Sequence, residues 1–172
     1  MNLHDNDFEL FGLPLRFAQD GNALTQRWKE LQTKVHPDRF AAQSHAAQRI
    51  AMQWSARVNE AYQRLRDPLK RAASLCALKG AAIEAESNTA MPAEFLMQQM
   101  QWREALDEAN KAQDFAALSD EVQTAHQSLL QDIERALDVQ GDAKAAAQHV
   151  RALMFLERIL HEADEGLHAL SN

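Results

Sequence analysis

The chain has 172 residues, 46% hydrophobic and 25% charged, enough for one mid-sized globular domain or two small ones. Its single cysteine, Cys76, excludes an internal disulfide framework and a four-cysteine zinc site, and fits a reducing compartment. The formal charge of -7 is uneven: residues 1–79 carry 12 Lys/Arg against 8 Asp/Glu and residues 80–172 carry 6 against 17, so two modules facing different partners are expected.

With 5 Gly and 4 Pro among many Ala, Leu, Gln, Glu and Arg, the chain is expected to be helical nearly throughout. Phe8, Leu10, Phe11 and Leu13 form a short apolar entry, about one helical turn. Leu24, Trp28, Leu31 and Val35 make one stripe on a helix capped by Asp20 or Asn22 and stopped before Pro37. Ile50, Trp54, Val58, Ala61 and Leu65 stripe a second helix, from about Gln43 to Arg66. Two such helices joined by a short loop bury their stripes as an antiparallel hairpin with His36-Pro37-Asp38 at its tip. Asp67-Pro68 then reads as a cap and first helical residue, opening a helix that ends at Gly80.

Residues 81–91 lack an apolar period and read as a linker. Pro92 opens a helix with Phe95, Trp102, Leu106 and Ala109 on one face. Phe115, Leu118, Val122, Ala125, Leu129 and Ile133 stripe the next helix. After the Gly141-Asp142 stop and cap, Ala146, Val150, Leu153, Leu160, Ala163 and Leu167 stripe the last. Residues 92–172 are therefore expected to be a three-helix bundle.

Four apolar residues miss these stripes. Leu96, Met97 and Met100 lie about 100–200° from the Phe95 face, with Glu104 beside them, and Phe155 lies nearly opposite Leu153 and Leu160. They pack against the first module, belong to a core wider than these stripes, or form an exposed patch for a partner, a use that suits flexible Met.

At the hairpin tip, Pro37 fixes the backbone between an imidazole and a carboxylate. Arg27, Lys29, Lys34 and Arg39 flank it, an arrangement suited to electrostatic docking on a partner protein. Enzymatic activity is not expected: His36 and Asp38 have no nucleophile motif to serve. The seven histidines show no metal-ligand spacing, His161 with Glu157 or Asp164 reads as a surface pair, and neither a metal nor a cofactor is expected. Cys76, between Leu75 and Leu78, reads as a small buried hydrophobe. The acidic second module argues against nucleic acid, no run reaches membrane-span length, and the N-terminal MNLHDNDFELFG is neither signal nor transit peptide, so the cytoplasm is the expected location.

The HPD tip between amphipathic helices, followed by VNEAYQRLRDPLKRA (Val58 to Ala72), resembles a J-domain. With FELFGLP (Phe8 to Pro14) and EFLMQQMQWREALDE (Glu94 to Glu108), essentially the whole chain is similar to the HscB co-chaperones of iron–sulfur cluster assembly. The resemblance implies a J-domain over 1–80, a linker over 81–91 and a scaffold-binding bundle over 92–172. It implies that His36, Pro37 and Asp38, with Arg27, Lys29, Lys34 and Arg39 as the docking surface, stimulate the ATPase of the DnaK-type chaperone HscA. It also implies that Leu96, Met97, Met100, Gln101, Glu104 and Phe155 hold the scaffold protein IscU. Val35 stands where J-domains usually have Tyr, Arg39 replaces the usual Lys, and Gln101 falls where bacterial relatives often carry an acid. The cysteine motif of the eukaryotic relatives is missing, which implies the bacterial, metal-free type.

Overall fold

A computed structural model describes residues 1–172 as seven α-helices with no strand: α1 (Asp7–Phe11), α2 (Gly21–Val35), α3 (His45–Arg66), α4 (Pro68–Leu78), α5 (Ala93–Glu108), α6 (Ala112–Glu134) and α7 (Ala143–Leu170). The fold class is all-α, as the composition predicts. The chain divides into two compact units, Met1–Arg71 and Ala72–Asn172.

In the first unit the caps form where local chemistry asks for them. Asn6 and Glu9 close a capping box on α1, which ends at left-handed Gly12. Asp20 accepts from the Asn22 and Ala23 amides at the start of α2, and Ser44 from Ala47 at the start of α3. Cross-links between Thr25 and Tyr62, Trp28 and Asn59, and Gln32 and Ser55 make α2 and α3 an antiparallel hairpin. Its core holds Leu24, Leu31 and Val35 against Ala51, Val58, Ala61 and Leu65, with Phe8, Leu10 and Phe11 buried in the same unit. Asp7 fastens α1 to α3 through Arg57 at 2.8 Å and Arg64 at 2.6 Å.

Three stripe residues depart from expectation, one of them Trp54, which is only half-buried. Ile50 is exposed and Ala51 buried in its place. Around the helix Ile50 lies about 80° from Val58 and Ala51 only about 20°, so the smaller residue has the better register. Trp28 is half-buried: its indole stacks on Tyr62 at 4.7 Å between centroids and donates to Asn59 at 2.9 Å. It forms a polar-edged seam beside the core, where its N–H finds an acceptor.

In the second unit α5, α6 and α7 form the expected three-helix arrangement. Phe115 against Gly166 and His126 against Glu157 set α6 antiparallel to α7. Phe95 against Phe155 and Arg103 against Glu162 set α5 parallel to α7. The predicted single stripe on α7 is too narrow. Ala152, Phe155, Leu156 and Ile159 are buried as well as Ala146, Val150, Leu153 and Ala163, because α7 packs against both other helices. Arg151, also buried, donates to the carbonyls of Ile83 and Ala90 and so fastens residues 81–91 along α7. Cys76 is buried, and that burial pushes its thiol up to about 11, leaving it inert at neutral pH.

Candidate functional site

The tip is a short 3₁₀ turn, Pro37–Phe40, entered from the end of α2. His36 sits at φ -60°, ψ 130°, the extended geometry that a following proline favours, and its amide still closes α2 on Gln32. The Asp38 amide donates to His36 Nδ1 at 3.2 Å. An amide only donates, so Nδ1 carries a lone pair and the ring proton sits on Nε2. The imidazole thus offers solvent a directed N–H donor while being held through its other nitrogen. The Asp38 side chain, 90% exposed, offers an acceptor two residues on. The tip therefore presents a donor and an anion in fixed order.

The four flanking cations are not equivalent: two are free and two are engaged. Lys34 and Lys29 are exposed and unpaired, yet they stand about 140° apart around α2. Arg27 is half-buried, donating to the Phe11 carbonyl at 3.2 Å and to Glu30 at 3.3 Å, which ties α1 to α2. Arg39 folds back to donate to the Thr33 carbonyl at 2.9 Å, satisfying an orphan carbonyl in the last turn of α2. Lys34 shares its side of α2 with Arg27; Lys29 faces elsewhere.

On α5 the off-stripe residues stand together and open. Leu96 is 51% exposed, Met97 72% and Met100 73%, with exposed Gln101 and Glu104 on the same side. The opposite side holds half-buried Phe95 and Leu106 and buried Trp102, whose indole donates to Glu121 of α6 at 3.2 Å.

Phe155 does not join this surface. Only 6% exposed, it stands edge-on to Phe95 at 5.9 Å between centroids, with the Arg103 guanidinium 5.8 Å from its ring. It lies opposite Leu153 as the spacing predicts, but α5 covers that side of α7. Arg103 was not singled out by sequence reasoning; it pairs with Glu162 at 2.6 Å and braces α5. Its position next to the Trp102 stripe was the available signal.

The histidines pair differently from the sequence expectation. His161 meets Glu165 at 3.2 Å, while Glu157 is taken by His126 on α6. No group of three His, Cys, Asp or Glu residues is placed to hold a metal ion, and no helix is long and apolar enough to cross a membrane.

The comparisons with known proteins agree among themselves. Residues 91–164 match the family model of the HSCB C-terminal oligomerisation domain. The co-chaperone protein HscB homologue of Bordetella petrii is 51% identical over 159 residues, 92% of this chain and 94% of that one. The Burkholderia multivorans homologue is 49% identical over 165 residues, 94% of each chain. Among solved structures, chaperone HscB from Vibrio cholerae superposes with a TM-score of 0.81 at 34% identity, covering 96% of this chain and 99% of that one. The crystal structure of human co-chaperone HscB gives a TM-score of 0.88 at 25% identity, covering 96% and 83%.

Proposed function

This chain belongs to the HscB family of co-chaperones, and we propose that within that role it is an adaptor that binds IscU and delivers it to HscA, whose ATPase it stimulates. The single observation that carries the reading is the open apolar trio Leu96, Met97 and Met100 on a helix whose opposite side makes the bundle's own contacts. Residues that stabilise nothing at home are suited to a partner, and Met moulds to an irregular one. Gln101 and Glu104 border the trio as its polar rim. Phe155 contributes from beneath, holding the Phe95 side of α5 in place.

The tip serves the chaperone. His36 offers its Nε2–H and Asp38 its carboxylate, with Pro37 holding the order between them; Lys29 and Lys34 steer, while Arg27 and Arg39 shape the turn they flank. An adaptor of this kind needs no chemistry of its own. Joining client and chaperone in one complex raises their effective concentration, and tighter contact with the ATP-bound chaperone biases its cycle toward hydrolysis. Both partners are cytoplasmic in this reading.

The test is single-turnover ATP hydrolysis by HscA, alone, with this chain, and with this chain plus IscU. Acceleration by the chain and a further gain with IscU are expected. No acceleration at saturating chain rejects the reading.

A second reading of the trio has one observation behind it, the oligomerisation named in the matched family model's description. In that reading Leu96, Met97 and Met100 meet a second copy. Light scattering of the Met97→Ala, Met100→Ala variant separates the two: dissociation of a wild-type dimer favours self-association, and a monomer in both cases favours the client.

A further inference from the structure

Between α5, α6 and α7 lies a recess of about 250 Å³ that the adaptor reading does not use. It is smaller than the roughly 300 Å³ at which sites for drug-sized ligands begin, so it suits a group the size of one side chain. Its walls are chemically one-sided. Phe95 and Trp102 supply aromatic surface, their rings meeting edge to face at 5.7 Å. Glu94 and Asp132 supply two carboxylates, Ser128 a hydroxyl, and no lysine or arginine lines the recess.

His149 also lines it, and His149 Nδ1 is the only buried side-chain nitrogen or oxygen in the protein without a hydrogen-bond partner. Buried polar atoms are ordinarily satisfied, so this one marks an imperfectly packed wall of the recess. Glu94 has no ion pair or hydrogen bond of its own. Asp132 has only Arg135, at 3.5 Å and three residues along the chain. The recess therefore sets two carboxylates beside aromatic rings, and Arg135 is the one cation paired with either. An organic cation with an apolar body fits it: the carboxylates pair with the cation, and the aromatic surface of Phe95 and Trp102 packs beside it.

We infer that this recess binds an ammonium group carried on a short apolar stem. A free arylalkylamine and a lysine side chain of another protein share that chemistry. The inference stands on the recess alone and does not depend on which client binds the far side of α5.

The test is an NMR titration of the isotope-labelled full-length chain, following the Trp102 indole N–H and the His149 ring. The probes are phenethylamine, its neutral analogue 2-phenylethanol, and N-acetyl-lysine methylamide. Phenethylamine is expected to give saturable shifts in the millimolar range, as befits so small a ligand. 2-Phenylethanol is expected to bind at least about fivefold more weakly. Saturation by the lysine derivative as well identifies a partner's side chain as the source; saturation by phenethylamine alone identifies a free amine. Absence of saturable shifts with both cations overturns the inference, and so does equal binding of the alcohol, which would make the recess merely apolar. Glu94→Gln with Asp132→Asn, which keeps volume and removes charge, is expected to abolish the preference for the cation. Retention of that preference in a folded variant also overturns it.

Discussion

Phe155 and Phe95 stand edge to face, 83° between planes and 5.9 Å between centroids, so a ring of α7 supports the inner side of α5. Truncating Phe155 to Ala removes a buried aromatic and leaves a cavity, which costs about 3–5 kcal/mol. A calorimetric melt of Phe155→Ala is expected to fall by about 10 °C, with IscU affinity falling as α5 loses its support. An unchanged melt contradicts the packing described.

Met97→Ala with Met100→Ala is expected to do the opposite. Both side chains are open, so stability should stay within about 0.5 kcal/mol. Calorimetric titration with IscU should show affinity lower by at least about tenfold, the loss of one hot-spot contact. Retained affinity in this variant removes the trio from the client interface.

His36→Gln keeps a polar side chain but removes the ring that receives the Asp38 amide and directs the Nε2–H outward. The melt should not move, since the side chain is half exposed. Stimulation of HscA should be lost while IscU binding persists. Stimulation at the wild-type level means the tip is not the signal.

Asp7 sets an acid limit on the first unit. Burial alone raises its pKa, but the hydrogen bonds and charges of Arg64 and Arg57 outweigh that and hold it below the usual carboxylate range. A depressed folded-state pKa contributes stability above the unfolded value of about 3.9 and loses it as pH falls through the folded one. Asp7→Asn is expected to cost about 3 kcal/mol at pH 7, the low end for a broken buried pair, because Arg64 keeps 41% of its side chain exposed. Urea melts from pH 7 to pH 2.5 should show the wild type converging on the variant as the acid is titrated. A constant gap across that range refutes the assignment.

Gly166 is required by contact rather than by backbone. A Cβ placed there would lie 2.5 Å from Phe115 Cε1 and 2.7 Å from Cζ, on a ring that is itself buried. Gly166→Ala gains about 1 kcal/mol of helix propensity but forces overpacking worth about 1–3 kcal/mol. A net loss by thermal melt is expected, and Phe115→Leu should relieve it. A stabilised Gly166→Ala would show that the ring moves freely.

Helix ends were legible because their signals are local: Asp20, the Asp67-Pro68 pair and the Gly141-Asp142 pair act on amides within three residues. The off-stripe trio on α5 was legible for a related reason, since periodicity alone separates it from Trp102. What periodicity does not carry is how many neighbours a helix has. Phe155 lies opposite the Leu153 stripe, and only the presence of α5 on that side makes the position internal. That Arg27 and Arg39 are engaged while Lys29 and Lys34 are free was not legible for another reason. Arg27 found a carbonyl brought near by tertiary folding, that of Phe11, and Arg39 one left free where Pro37 ends α2, that of Thr33. His149 gave no signal, because an unsatisfied nitrogen is a property of its surroundings.

Trp102 is the only buried residue of α5. Opening free energies vary across a fold, and elements with little buried apolar surface open first. The amides of α5 should therefore exchange with deuterium ahead of those in α6 and α7. A client clasping the outer side would slow that exchange, finishing from without a seam that this chain leaves loosely sewn.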